Sequence, residues 1–125
     1  NRLEGWGAVV NEAMNSGCAE VASAAAGAVP YLIRQGVNGI AYPEDDFMQM
    51  AKAVLSLACN DGKRREMGRK AMETITGAWN AEHAAGELLR FSEELLTGEP
   101  EGADDGPLSP APVISERRMY SWMCQ

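Results

Sequence analysis

The pattern of apolar and polar positions predicts a helix, a strand, a short helix and a second strand, followed by three longer helices. Over 8–16, Val9, Val10, Ala13 and Met14 fall on one helical stripe, and Glu12 lies well away from it at about 100° per residue. Gly5 and Gly7 lead into this helix, and Gly17 is placed as the glycine that ends it. Residues 19–23 (Ala-Glu-Val-Ala-Ser) read as a strand directly after that stop. A small-residue loop over 24–27 leads to a helix over 29–35. Pro30 suits its first turn, where a missing N–H has no helical partner to lose. Gly36-Val37-Asn38-Gly39 then turns the chain into a strand over 39–42, which Pro43 stops.

Asp45 and Asp46 are both N-cap candidates for a helix of about twelve residues, with a buried face of Phe47, Met50, Ala51, Val54, Leu55 and Ala58. Asn60-Asp61-Gly62 reads as a turn. The following helix, 63–75, is apolar through Met67, Ala71 and Ile75 and basic through Lys63, Arg64, Arg65, Arg69 and Lys70. That basic run reads either as a phosphate patch or as a solvated helix face. Asn80 caps a last helix with Ala81, Ala84, Ala85, Leu88, Phe91 and Leu95 along one side, and Trp79 before it is a candidate hydrophobic anchor. His83 falls off that stripe, which favours a surface position over a catalytic one.

From 97 to 112 the composition shifts to Gly, Pro, Glu and Asp, so this stretch is expected to be a linker. Residues 113–125 regain apolar side chains and read as a tail that either docks or frays. The organisation is thus one domain over 1–96, a linker over 97–112 and a tail over 113–125.

With 125 residues and 46% hydrophobic content, one core is expected. No apolar run approaches the ~20 residues of a membrane span. A formal charge of −7 argues against non-specific nucleic-acid binding, which rests on basic patches. Any phosphate must therefore be held by local geometry. The three cysteines, Cys18, Cys59 and Cys124, are far apart and lack C-x-x-C spacing, so neither a disulfide framework nor a zinc site is expected, and a reduced cytosol is.

The stretch Glu4-Gly5-Trp6-Gly7-Ala8-Val9-Val10-Asn11-Glu12 carries the candidate chemistry. A glycine loop that runs into a helix start gathers unpaired N–H groups and the positive end of the macrodipole, which suits a phosphate. Glu4 and Glu12, with seven residues between them, then Glu-Ala-Met-Asn-Ser-Gly over 12–17, Val-Ala-Ser over 21–23, Val29-Pro30 and Gly36-Val-Asn-Gly39 form an ordered series. The series resembles the C-terminal domain of retaining glycosyltransferases of family 4, the glycosyl transferases group 1 domain, from about Glu4 to Leu96.

The resemblance implies the C-terminal part of a Rossmann-like GT-B domain, α/β in class, truncated at its N-terminus, with short parallel strands, flanking helices and a helix-rich C-terminal half. It implies a metal-independent, cytoplasmic enzyme that can sit peripherally on a membrane. Such an enzyme transfers sugar from a nucleotide-diphosphate sugar with retention, using an N-terminal acceptor domain. By position, Glu4 is the catalytic candidate beside the donor sugar, Gly5, Trp6, Gly7, Ala8 and Val9 contact sugar and diphosphate, and Glu12 binds the ribose. Side-chain chemistry agrees: Glu12 lies one turn in and points back toward the helix start. Its carboxylate can accept from two neighbouring hydroxyls but would repel a diphosphate.

The sequence departs from the pattern at Glu20, where an aliphatic residue is usual, at Ala19 in place of proline, and at Tyr31 in place of an acidic residue. The family's upstream basic pair and acceptor domain are not in the sequence, so the 125 residues are expected to be inactive alone. The alternative is a non-catalytic interaction or self-associating module that uses exposed apolar faces, the last helix foremost. A dinucleotide oxidoreductase is disfavoured, because no G-x-G-x-x-G follows a strand.

Overall fold

The computed structural model describes residues 5–98 and 100–110. Among them the elements run α1 (Ala8–Asn15), β1 (Glu20–Ser23), α2 (Val29–Leu32), β2 (Gly39–Tyr42), α3 (Phe47–Ala58), α4 (Asp61–Gly77) and α5 (Ala81–Thr97). The chain is α/β. β1 and β2 pair in parallel, Glu20 opposite Gly39 and Ser23 opposite Tyr42, with α2 in the crossover, as in part of a Rossmann-like domain.

The core lies between this sheet, α1 and α4. α1 buries Val10 and Met14, and it ends where Gly17, at φ +72°, donates to the Met14 carbonyl while Cys18 donates to Ala13, both at 3.0 Å. Val9, expected on the buried stripe, is 67% exposed. It lies at the edge of the stripe near the helix start, and only Val10 and Met14 point squarely at the core. α4 answers with Met67, Ala71 and Ile75, all buried as their spacing predicts. The turn after α1 approaches α4 so closely that a Cβ on Gly68 would collide with the Gly17 carbonyl oxygen. Each large side chain buried here contributes about 1.5–3 kcal/mol.

Two boundaries differ from expectation. α2 stops at Leu32 because Asn38, 1% exposed, takes the backbone groups that a longer helix would pair internally. Its Oδ1 accepts from the Arg34 N–H at 2.6 Å, and its Nδ2 donates to the Leu32 carbonyl and to Thr74 Oγ1, each at 2.9 Å. α4 begins at Asp61, so residues 60–62 are a cap and first turn: Asn60 Oδ1 accepts from the Lys63 N–H at 2.9 Å.

β2 spans the predicted residues, and its outer edge is occupied. Gly36 donates to the Gly39 carbonyl at 2.8 Å, while the Gln35 carboxamide accepts from the Ala41 N–H at 2.8 Å and donates to the Ala41 carbonyl at 3.3 Å. β1 opens on Glu20, whose Oε2 is buried without a partner among the described residues. Burial raises its carboxyl to about 7.

α3 is capped by Asp46, which accepts from the Gln49 N–H at 2.9 Å, but its buried face is rotated by about a quarter-turn from the expected one. Ala53 and Leu57 are buried, whereas Phe47, Met48, Ala51, Val54, Leu55 and Ala58 are exposed. Apolar residues occupy most of this helix's circumference, so the fit against β1, β2 and α4 decides which of them are covered.

α5 is capped by Asn80, which accepts from the His83 N–H at 2.8 Å, yet buries none of its residues; the predicted stripe is an open one. Trp79, immediately before it, is half-buried against the core as its role of anchor requires. Residues 100–110, within the stretch read as a linker, have no helix or strand and run back along α5. The Glu101 N–H donates to Glu94 Oε2 at 3.0 Å, Asp105 pairs with Arg34, and buried Gly106 lies against the half-buried His83 ring. The proposed tail over 113–125 lies outside the described residues.

Candidate functional site

The site is built where the glycine loop enters α1. Gly7 takes φ +80°, ψ +59° at the N-cap, a conformation that glycine adopts without a Cβ clash. Among the described residues no side chain caps the helix, and no acidic residue stands in its first turn. Among the described residues the N–H groups of Ala8 and Val9 have no acceptor, while Val10 donates back to Gly7 at 2.9 Å. This leaves donors and the positive end of the helix open to an anion.

The loop is held from behind by backbone. Gly27 donates to the Gly5 carbonyl at 3.0 Å and Ala28 donates to the Trp6 carbonyl at 2.7 Å. At Gly27 a Cβ would stand 2.5 Å from the Gly5 oxygen, so the small-residue loop at 24–27 is what allows this approach. Trp6 Nε1 donates to Asn11 Oδ1 at 2.7 Å. Its ring stacks on Tyr31 at 5.7 Å and lies 6.0 Å from Trp79. Tyr31, Trp79 and Asn11 are positioning residues that the sequence reading did not assign to the site. The signal was available for Tyr31, an aromatic ring standing where an acidic residue is usual. Nothing local in sequence connects position 79 to position 6.

Of the predicted site residues, Gly5, Trp6, Gly7, Ala8 and Val9 are contiguous at the helix start, and all but Gly7 are exposed. Glu12 is exposed one turn further on, and its carboxylate takes no hydrogen bond among the described residues. Glu4 lies outside the described residues. Apart from Lys63, the basic run on α4 is internally matched: Arg64 and Arg65 pair with Asp61, Arg69 with Glu66 and Glu73, and Lys70 with Glu66. Hydrogen bonding to Arg69 holds the Glu66 carboxyl below its usual range. These cations serve a solvated helix face.

Two further features bound the chemistry. A cleft of about 300 Å³ between the 34–38 turn and α4, lined by Arg34, Asn38, Lys70 and Thr74 among others, shares no residue with the loop. Among the described residues, Cys18 and Cys59 are free thiols, and no group of His, Cys, Asp or Glu is placed to hold a metal ion. No described helix is long and apolar enough to cross a membrane.

The model of the glycosyl transferases group 1 family matches residues 1–74, more than half of the chain, and so takes in the loop, α1 to α3, both strands and most of α4. The chain belongs to that family. No curated protein and no solved structure matches it. Membership makes this a glycosyltransferase domain and implies, in general, a nucleotide-sugar donor.

Proposed function

We propose that this domain holds the diphosphate of a nucleotide-sugar donor at the start of α1 and the ribose at Glu12, within a retaining, metal-independent glycosyltransferase of family 4 and GT-B architecture. The observation that carries the reading is the helix start behind a left-handed Gly7, where the Ala8 and Val9 N–H groups have no acceptor among the described residues. In a retaining transfer the diphosphate leaves with developing negative charge, and fixed N–H donors at the helix start stabilise it without reorganising. Glu12 accepts from two adjacent ribose hydroxyls, and its negative charge stands one turn away from the phosphates. Glu4, by its place in the motif, stands beside the donor sugar, and the enzyme works in the cytoplasm.

The described residues supply no cation hydrogen-bonded to the loop, so we assign the 125 residues donor binding and no efficient transfer of their own. Calorimetric titration of the chain with uridine, guanosine and adenosine diphosphate sugars tests this. One of them should bind, Glu12→Ala should weaken it about tenfold or more, and Gly7→Val should abolish it. No binding by any of them would overturn the donor site, and ordinary turnover by the chain would overturn the assignment of binding alone. The second reading, a self-associating module, draws on the exposed apolar faces of α3 and α5.

A further inference from the structure

We propose that the exposed face of α3 is a surface for a second copy of this chain, the two helices packing antiparallel about a twofold axis between Lys52 and Ala53. Phe47, Ala51, Val54 and Ala58 are all exposed and follow one another at spacings of four, three and four, the seam spacing of packed helices. No charged residue interrupts the seam.

Two properties of the face select a copy of itself as occupant. The first is shape. An antiparallel pair about that axis sets Phe47 opposite Ala58 and Ala51 opposite Val54, so each large side chain meets a small one. A parallel pair would set Phe47 on Phe47 and Ala58 on Ala58, leaving crowding at one end and a gap at the other.

The second is charge. The N-terminal end of α3 is flanked by Glu44, Asp45 and Asp46, while the C-terminal end runs into Lys63, Arg64 and Arg65, opposed there by Asp61 alone. Glu44, Asp45 and Lys63 have no ion-pair partner among the described residues. Antiparallel packing brings each acidic end toward the basic end of the other copy, which both attracts and sets the direction. The stripe on α5 offers no such charge match: Glu82, Glu87, Glu93 and Glu94 outnumber Arg90 along that helix.

A twelve-residue helix is about 18 Å long and covers less than the ~800 Å² per partner of a standard interface, so the pair is weak and depends on concentration. Sedimentation equilibrium of the 125-residue chain over micromolar to millimolar concentration reads it directly. A monomer–dimer equilibrium is expected, weakened at least about tenfold by Val54→Asp, which buries a charge in the seam, and weakened also by Phe47→Ser. Both positions are exposed in the monomer, and unchanged circular dichroism verifies the fold. Lys63→Glu should weaken association, and adding Glu44→Lys should restore it. A chain that stays monomeric throughout overturns the proposal. So does a dimer indifferent to Val54→Asp and Phe47→Ser, or one lost with Leu89→Asp instead, which would place the contact on α5.

Discussion

α1 and α5 are both helices with an apolar stripe and a defined start and stop, yet they stand at opposite ends of the burial scale. α1, with eight residues, hides Val10 and Met14 against α4. α5, with 17, buries nothing, and its contacts run through its ends and polar side chains: Asn80 at the cap, Glu94 and Arg90 to residue 101, and His83 beside Gly106. A stripe states that a helix has a face to cover, and the backbone decides whether a partner can come close enough. At α1 that permission is Gly68, whose bare Cα lets the Gly17 carbonyl settle on α4. α5 has Gly86, around which there is open space.

The comparison can be broken most sharply at Met14. Met14→Ala should cost about 2–5 kcal/mol, read as a drop in the urea midpoint. Asn38→Ala comes next, at about 1–3 kcal/mol, because it removes the buried side chain that partners the Leu32 carbonyl and the Arg34 N–H. Amide exchange should accelerate there first. A smaller effect is expected at Glu20. Its folded carboxyl titrates near 7, above the unfolded value of 4.5, so its contribution to stability is fully present below about pH 4.5 and is lost as pH rises through about 7. Glu20→Gln should remove that loss, so the thermal midpoint of the variant should gain on the parent between pH 5 and 8. Leu89→Ser on α5 should change stability by less than about 0.5 kcal/mol. A cost comparable to Met14→Ala would show that α5 is covered in solution.

Much of the packed half was legible because several local signals agree there. Gly17 follows a helical stripe, Pro43 closes a short apolar strand, and Met67, Ala71 and Ile75 repeat at helical spacing. The turn from glycine loop into α1 was legible for the same reason, since two glycines ahead of an apolar helix leave little else for the backbone to do. The face of α3 was not, because its apolar residues surround most of the axis and the sheet and α4 choose among them. Asn38 reads as an ordinary turn residue, and its task of clamping α2, the turn and Thr74 together depends on a partner 36 positions away. The bareness of α5 is invisible to periodicity, which records a preference without its fulfilment.

The carboxamide of Gln35 has one more consequence. By pairing with both backbone groups of Ala41 it imitates a neighbouring strand, and with Gly36 on Gly39 it leaves the β2 side nothing to offer an incoming chain. On the opposite side, Val21 turns its N–H and carbonyl away from β2. The sheet is therefore a one-way template. A strand that joins it adds beside β1, and the β2 side is guarded against edge-to-edge aggregation by Gln35 and Gly36 together.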